Sequence, residues 1–280
     1  MSKFFNETMK ARNAAAPVDN LSSIEVRDFP APAAISEQPL EPGTRGLQEY
    51  RKVQIPSSSL LQQRFKGSEW LESAEESYRA LRTRLLRLRT SRDLRSVLLT
   101  SASQGEGKTM TSLNLAICCA QMPDLRVLLV DTDLRTGGLT KLLGYHGFPG
   151  LGEVLAGHCV GEKVILTTDH PNLFVLPVGS TDNQPAELLA GPKWQELVSH
   201  CQETFDLILV DSPPVLNLAD VELLMPACDG VLIVVRAGHV RREVLEKSAK
   251  HFDPSKVLGL VYNGGDRASY ERYYYGGTRN

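Results

Sequence analysis

The sequence predicts a three-layer α/β sandwich built on a mostly parallel sheet, and three observations predict it. Six short apolar runs, Ser96–Ser101, Arg126–Asp131, Leu173–Pro177, Leu207–Asp211, Gly230–Val235 and Val257–Tyr262, alternate with stretches of helical spacing. The runs are continuous rather than alternating, VLLV and LILV among them, as expected of strands covered by helices on both faces. Several of them end in polar residues, and in such sheets ligands bind beyond the carboxyl ends of the strands.

The chain before the first of these runs reads differently. Residues 1–65 contain six prolines (Pro17, Pro30, Pro32, Pro39, Pro42 and Pro56), an alanine-rich patch and Ser57-Ser58-Ser59, with no sustained period of 3.6 or 2. Such a stretch buries too little apolar surface to offset its ordering entropy, so a disordered N-terminal arm is expected. From about Glu69 the spacing becomes helical, with Tyr78, Leu81, Leu85 and Leu88 on one stripe. The expected organisation is an arm over 1–65, an α/β domain over 66–267 and a flexible tail over 268–280.

Composition bounds the function classes. The 280 residues are 42% hydrophobic, ample for one sizeable core. A formal net charge of -2 gives no global electrostatic reason to bind nucleic acid, so any anionic ligand must be caught locally. The five cysteines form no Cys-x-x-Cys pair and read as core thiols of a reducing compartment. No apolar run approaches the roughly 18 residues that span a bilayer, and MSKFFNETMK lacks the apolar core of a signal peptide. A cytoplasmic location without a direct membrane span is expected.

The first run leads into Ser101-Ala102-Ser103-Gln104-Gly105-Glu106-Gly107-Lys108-Thr109 and then into the helical MTSLNLAICCAQM. This is a Walker A loop in its strand, loop, helix context. The nucleotide-binding residues expected from it run from Gln104 to Met110. Glycines let successive N–H groups point inward at phosphate oxygens, and the helix N-terminus adds its positive dipole end. Lys108 is placed to reach the β and γ phosphates of ATP, and the Thr109 hydroxyl to ligate Mg²⁺. The leading glycine of the pattern is Ala102 here, a small residue that the turn tolerates.

Carboxylates follow at the ends of two later runs. Asp131 and Asp133 stand at i and i+2, followed by Arg135, and alternation along an extended segment turns both carboxylates to one side. A general base, a Mg²⁺ contact and a charge clamp are thus available in one short segment. The run LILVD closes on Asp211, the pattern of a Walker B strand whose aspartate holds Mg²⁺ through water. A lone aspartate at a strand end is more often a helix N-cap. Three of them beside a phosphate loop argue for chemistry, with Lys108, Asp131, Asp133 and Asp211 as the catalytic set and Thr109, Asp131 and Asp211 as the metal set.

Half of the eight tyrosines lie in Tyr270-Glu271-Arg272-Tyr273-Tyr274-Tyr275, beside Gly276-Gly277. Exposed aromatics at a short terminus are accessible, and each phosphorylation there adds about 1.5–2 negative charges at pH 7.

Together these residues resemble the bacterial tyrosine autokinases of capsular and exopolysaccharide synthesis, over residues 66–280. That family combines the Walker A loop with a strand ending Asp-x-Asp-x-Arg, here Asp131, Asp133 and Arg135, and with a Walker B strand, here ending at Asp211. It also carries Glu-x-x-Arg-x-x-Arg on a preceding helix, matched by Glu76, Arg79 and Arg82. On a helical wheel these three leave the Tyr78 stripe and stay available to a neighbouring subunit. GLGEVLAG at 150–157, LPVG followed by PAELL at 176–189 and DGVLIVVRAG at 229–238 extend the resemblance. The resemblance implies a ring-like homo-oligomer whose tail, Tyr270, Tyr273, Tyr274 and Tyr275, is phosphorylated by an adjacent subunit. It implies a separate membrane-embedded polysaccharide co-polymerase as activator, recruiting the chain to the inner face of the plasma membrane. Asn263 sits where related ATPases place an asparagine against adenine. The nearest rivals are a partitioning or cell-division-positioning ATPase, which usually carries a lysine where this chain has Ser103, and a nucleotide-binding regulator without kinase output.

Overall fold

In a computed structural model, the structure describes residues 50–56, 69–180, 185–215 and 219–264. The tail tyrosines and most of the expected N-terminal arm lie outside the described residues. The elements in chain order are β1 (Arg51–Lys52), α1 (Glu69–Arg92), β2 (Ser96–Ser101), α2 (Lys108–Ala120), β3 (Val127–Asp131), α3 (Gly138–Leu143) and α4 (Leu151–Ala156). Then come β4 (Leu166–Thr167), β5 (Leu173–Leu176), α5 (Pro185–Ala190), α6 (Lys193–Thr204), β6 (Leu207–Asp211), α7 (Asp220–Leu224), β7 (Gly230–Arg236), α8 (Arg242–Ala249) and β8 (Val257–Asn263).

One eight-stranded sheet runs in the order β1-β4-β5-β3-β6-β2-β7-β8. Every neighbouring pair is parallel except β4 with β5. All six expected strands are present, and the continuous apolar runs are buried along their length in β2, β3, β5 and β6. On one face Val97, Leu99, Val127, Leu129, Leu207 and Leu209 join α2 and the Leu85 side of α1 in a single core cluster. The alternate residues Leu98, Leu128, Ile208 and Val210 point to the opposite face and are equally buried, with α6 packed on β6 there. Tyr78, Leu81 and Leu86 of α1 pack against the cluster, so the apolar stripe of that helix is its inner face.

The disordered arm expected over 1–65 is corrected at residues 50–56, which join the sheet. Arg51 and Lys52 pair with Leu166 and Thr167, and the Val53 N–H donates to the Thr167 carbonyl at 2.8 Å. Val53 and Ile55 are buried, the Ile55 N–H donates to Asp169 Oδ1, and the Tyr145 hydroxyl donates to the Gln54 carbonyl. The Tyr50 ring meets Phe174 edge-on, with centroids 5.4 Å apart. Alternation of Val53 and Ile55 buries one side of an extended segment, which the Tyr50 ring contact anchors at one end and the Tyr145 hydroxyl nearer the other.

The GLGEVLAG and LPVG segments meet at one junction. The N–H groups of Leu151 and Gly152 donate to the Pro177 and Val178 carbonyls, while Glu153 accepts from Gly150 N, Ser180 N and Ser180 Oγ. A Cβ on Gly150 would run into the Pro177 carbonyl oxygen, so close backbone approach explains the glycine. None of the five cysteines forms a disulfide, and burial pushes the thiols of Cys119, Cys201 and Cys228 up to about 12. Among the described residues no helix is long and apolar enough to cross a membrane.

Candidate phosphoryl-transfer site

The loop between β2 and α2 takes the shape its glycines permit. Gly105 and Gly107 adopt φ of +80° and +86°, in the left-handed region that residues with a Cβ avoid. Gly107 is the N-cap of α2, whose first turn has no acidic residue and no side-chain cap. The N–H groups and positive dipole end of that helix therefore face the loop with no side chain capping them. Lys108 opens the helix and is buried, as is the Glu106 side chain beside it.

Three side chains from the start of α2 converge on Asp211. Its carboxylate is fully buried at the end of β6 and accepts from Lys108 Nζ at 3.1 Å, Thr109 Oγ1 at 2.9 Å and Ser112 Oγ at 2.8 Å. Asp131 is its register partner across the β3/β6 ladder. The Asp131 Oδ2 accepts from both Thr140 N and Thr140 Oγ1 at 2.7 Å, and its Oδ1 from Asp133 N at 3.2 Å. Burial first, and then the neighbouring Asp211 charge, push the Asp131 carboxyl up to about 7, although the Thr140 donors pull the other way.

Asp133 does not continue the strand. It lies in a turn, accepting from Thr136 N at 3.0 Å and from Thr136 Oγ1, while its carbonyl accepts from Gly137 N. The expected alternation of Asp131 and Asp133 along one extended segment is therefore corrected: β3 ends at Asp131, and a turn places the second carboxylate. Asp131 at the strand end is held by Thr140 of α3, and Asp133 in the turn by Thr136.

Arg135 forms a two-pronged ion pair with Asp220, Nε to Oδ2 at 2.9 Å and Nη2 to Oδ1 at 3.1 Å. It ties the loop after β3 to α7, just beyond the segment that follows Asp211. Sequence reasoning treated Arg135 as a possible charge clamp and missed Asp220, which sits amid apolar residues with no motif to mark it.

Asn263, at the end of β8, turns its amide to the phosphate loop, where Nδ2 donates to the Glu106 carbonyl at 2.9 Å. On α1 the three motif residues are partly committed within the chain. Arg79 pairs with Glu75 and Glu76 of its own helix, and Arg82 Nη1 donates to the Cys118 carbonyl in the last turn of α2 at 2.8 Å. The expectation that all three are left available to another subunit is corrected for Arg82.

The donor set fits a magnesium nucleotide. Left-handed glycines and an uncapped helix N-terminus form a cradle for phosphate, and Lys108 brings a cation to the same place. Hydroxyl and carboxylate oxygens from Thr109, Asp211 and Asp131 are the hard ligands that Mg²⁺ takes. The direct contact of Lys108 with Asp211 balances a buried carboxylate that would otherwise be uncompensated.

The comparisons agree with this chemistry. A family profile described as an AAA domain matches residues 96–253, more than half of the chain. The tyrosine-protein kinase YwqD of Bacillus subtilis is 33% identical over 207 residues, covering 73% of this chain and 87% of the relative. The tyrosine-protein kinase CpsD of Streptococcus agalactiae is 30% identical over 195 residues, covering 69% of this chain and 84% of the relative. The kinase domain of the Escherichia coli tyrosine kinase ETK superposes with a TM-score of 0.65 at 31% identity, covering 69% of this chain and 76% of that domain. With 33% and 30% identity spread over most of both chains, and with the ETK kinase domain superposing on the same sheet and helices, the chain belongs to the bacterial tyrosine-protein kinases.

Proposed function

We propose that this kinase transfers the γ-phosphoryl group of ATP to Tyr270, Tyr273, Tyr274 and Tyr275 of a neighbouring copy, and thereby regulates a machine that makes and exports polysaccharide. The observation that carries the proposal is the convergence of Lys108, Thr109 and Ser112 on Asp211, with Asp131 alongside in register.

In the reaction, the glycine loop and the α2 N-terminus bind the β and γ phosphates. Lys108 exchanges its Asp211 partner for phosphate oxygens and neutralises their charge. Mg²⁺, when bound with ATP, draws charge from the same oxygens, and Thr109, Asp211 and Asp131 are the residues that would hold it. The tyrosine oxygen forms a bond to the γ-phosphorus as the bond to the bridging oxygen breaks, and ADP leaves. Asp133 is less buried than Asp131 and takes the phenolic proton, while Asp131 is held by Thr140 on the metal side.

The family resemblance supplies the rest of the reading: a ring of copies, a separate membrane-embedded activator and work at the inner face of the plasma membrane. The test is direct. Wild type and Lys108→Met are incubated with Mg-ATP, with and without the activator, and phosphate is mapped by mass spectrometry. Phosphate on the tail tyrosines of wild type and none on the variant is expected. An unphosphorylated wild-type tail in the presence of the activator overturns the proposal.

A further inference from the structure

Three successive carbonyls of the phosphate loop are each held from outside. Gln104 O lies 2.9 Å from His239 Nε2, Gly105 O accepts from Arg236 Nη1 at 3.3 Å, and Glu106 O accepts from Asn263 Nδ2 at 2.9 Å. A carbonyl can only accept, so His239 meets Gln104 with its Nε2 protonated. All three donors stand at or just past the carboxyl ends of β7 and β8. A fourth tie runs the same way, from the Arg236 N–H to Glu106 Oε2 at 3.2 Å, while Glu106 Oε1 accepts from Ser103 N at 2.7 Å.

The consequence follows from peptide geometry. In a planar trans peptide the C=O and the N–H of the next residue point in opposite directions, and the described chain has no cis bonds. Holding the carbonyls of 104, 105 and 106 outward turns the N–H groups of Gly105, Glu106 and Gly107 inward, where a phosphate binds. Left-handed glycines are intrinsically loose, and such a loop has many ways to point its N–H groups elsewhere. The Gly107 site is also closed sterically, because a Cβ there would run into Asn263 Nδ2.

We propose that Arg236, His239 and Asn263 form an outer collar that presets the phosphate loop, so that they are positioning residues for the phosphates. Asn263 then serves phosphate binding whatever base the nucleotide carries. The collar also makes the ends of β7 and β8 part of the nucleotide site, although none of the three residues touches the phosphates. The proposal rests on reading the loop as a phosphate site, and the experiment separates the two.

Calorimetric titrations of the full chain use ADP, GDP and inorganic triphosphate as probes, on wild type, His239→Ala, His239→Gln, Asn263→Ala and the His239→Ala/Asn263→Ala pair. Wild-type binding of ADP tests the phosphate site itself. Each alanine variant is expected to weaken all probes that bind by the same factor, roughly 3- to 10-fold, the worth of one hydrogen bond. Inorganic triphosphate is expected to bind wild type, and His239→Gln, whose amide still donates, is expected to retain most of the affinity. His239 is exposed, so its variants fold even if an Asn263 variant does not. The collar is overturned if ADP binds wild type and triphosphate does not, or if His239→Ala leaves every affinity unchanged. It is also overturned if Asn263→Ala weakens ADP while triphosphate binding stays intact, which would make Asn263 a base contact.

Discussion

Lys108 and Asp211, 103 positions apart in the chain, form a buried ion pair at 3.1 Å, with their side chains 9% and 0% exposed. This pair joins the first helix turn after the phosphate loop to the end of a central strand. On the proposed function the lysine is needed by the nucleotide's phosphates, which makes the pair a resting contact that phosphate displaces and that stabilises the site until then. Lys108→Met is expected to lower the stability of the nucleotide-free protein by about 3 kcal/mol, the cost of leaving a carboxylate buried without its cation. Lys108→Met/Asp211→Asn is expected to recover more than 1 kcal/mol of that loss, because the orphaned charge is gone. Urea unfolding of wild type, Lys108→Met, Asp211→Asn and the double variant measures it, and additivity within about 0.5 kcal/mol would show that the two residues are uncoupled.

The Asp131 carboxyl gives a pH signature. Its folded value of about 7 lies above the ordinary 3.8, so folding favours the protonated form. Its contribution is fully present below the ordinary value. As pH rises, the unfolded chain loses the proton first, and stability falls until the folded carboxyl has also ionised near pH 7. The fall amounts to roughly 4 kcal/mol at most, at about 1.4 kcal/mol per unit. Asp131→Asn, which keeps an oxygen for the Thr140 donors, lacks this loss. Its stability relative to wild type is expected to rise between pH 4 and 7 and level off above, in metal-free buffer. A difference that stays constant across that window would remove Asp131 from the account.

The legibility of this protein in its sequence follows the range of the interactions involved. β2, β3, β5 and β6 were readable because continuous Val and Leu runs require cover on both faces. The phosphate loop was readable because its residues are contiguous and their spacing is the mechanism. β1 was not: two exposed residues, Arg51 and Lys52, carry no apolar run, and what orders them is Tyr50 on Phe174 and Ile55 on Asp169. The collar was equally hidden, since His239 and Arg236 reach the loop across 135 and 131 positions. Asp133 misled for the opposite reason. Two residues is the period of a strand, but the strand ends at Asp131 and a turn takes over.

Arg135 and Asp220 are expected to behave asymmetrically. Asp220 is 2% exposed and Arg135 40%, so the two lose different things when the partner goes. Arg135→Ala strands a buried carboxylate and is expected to cost about 2 kcal/mol, whereas Asp220→Ala leaves a guanidinium that turns to water and costs about half as much. Arg135→Lys keeps the charge but not the two-pronged geometry and falls between them. Chemical denaturation ranks the three variants, and a larger loss for Asp220→Ala would reverse the assignment of which partner is the buried one.

Helix α1 separates assembly from stability within one motif. Glu76 and Arg79 are exposed and pair with each other at 3.2 Å, a contact worth little in water. Arg82 instead donates to the Cys118 carbonyl, one of the last carbonyls of α2, which the helix itself cannot satisfy. If α1 forms the contact between copies, Glu76→Ala and Arg79→Ala are expected to shift the sedimentation profile toward monomer with unfolding midpoints unchanged. Arg82→Ala is expected to shift assembly and also to lower stability by about 1 kcal/mol, the net worth of one hydrogen bond. Unchanged sedimentation of the Glu76 and Arg79 variants would move the contact between copies away from this helix. A loss of stability in Arg79→Ala matching that in Arg82→Ala would show that the two arginines do the same work, against the division that the Cys118 contact draws between them.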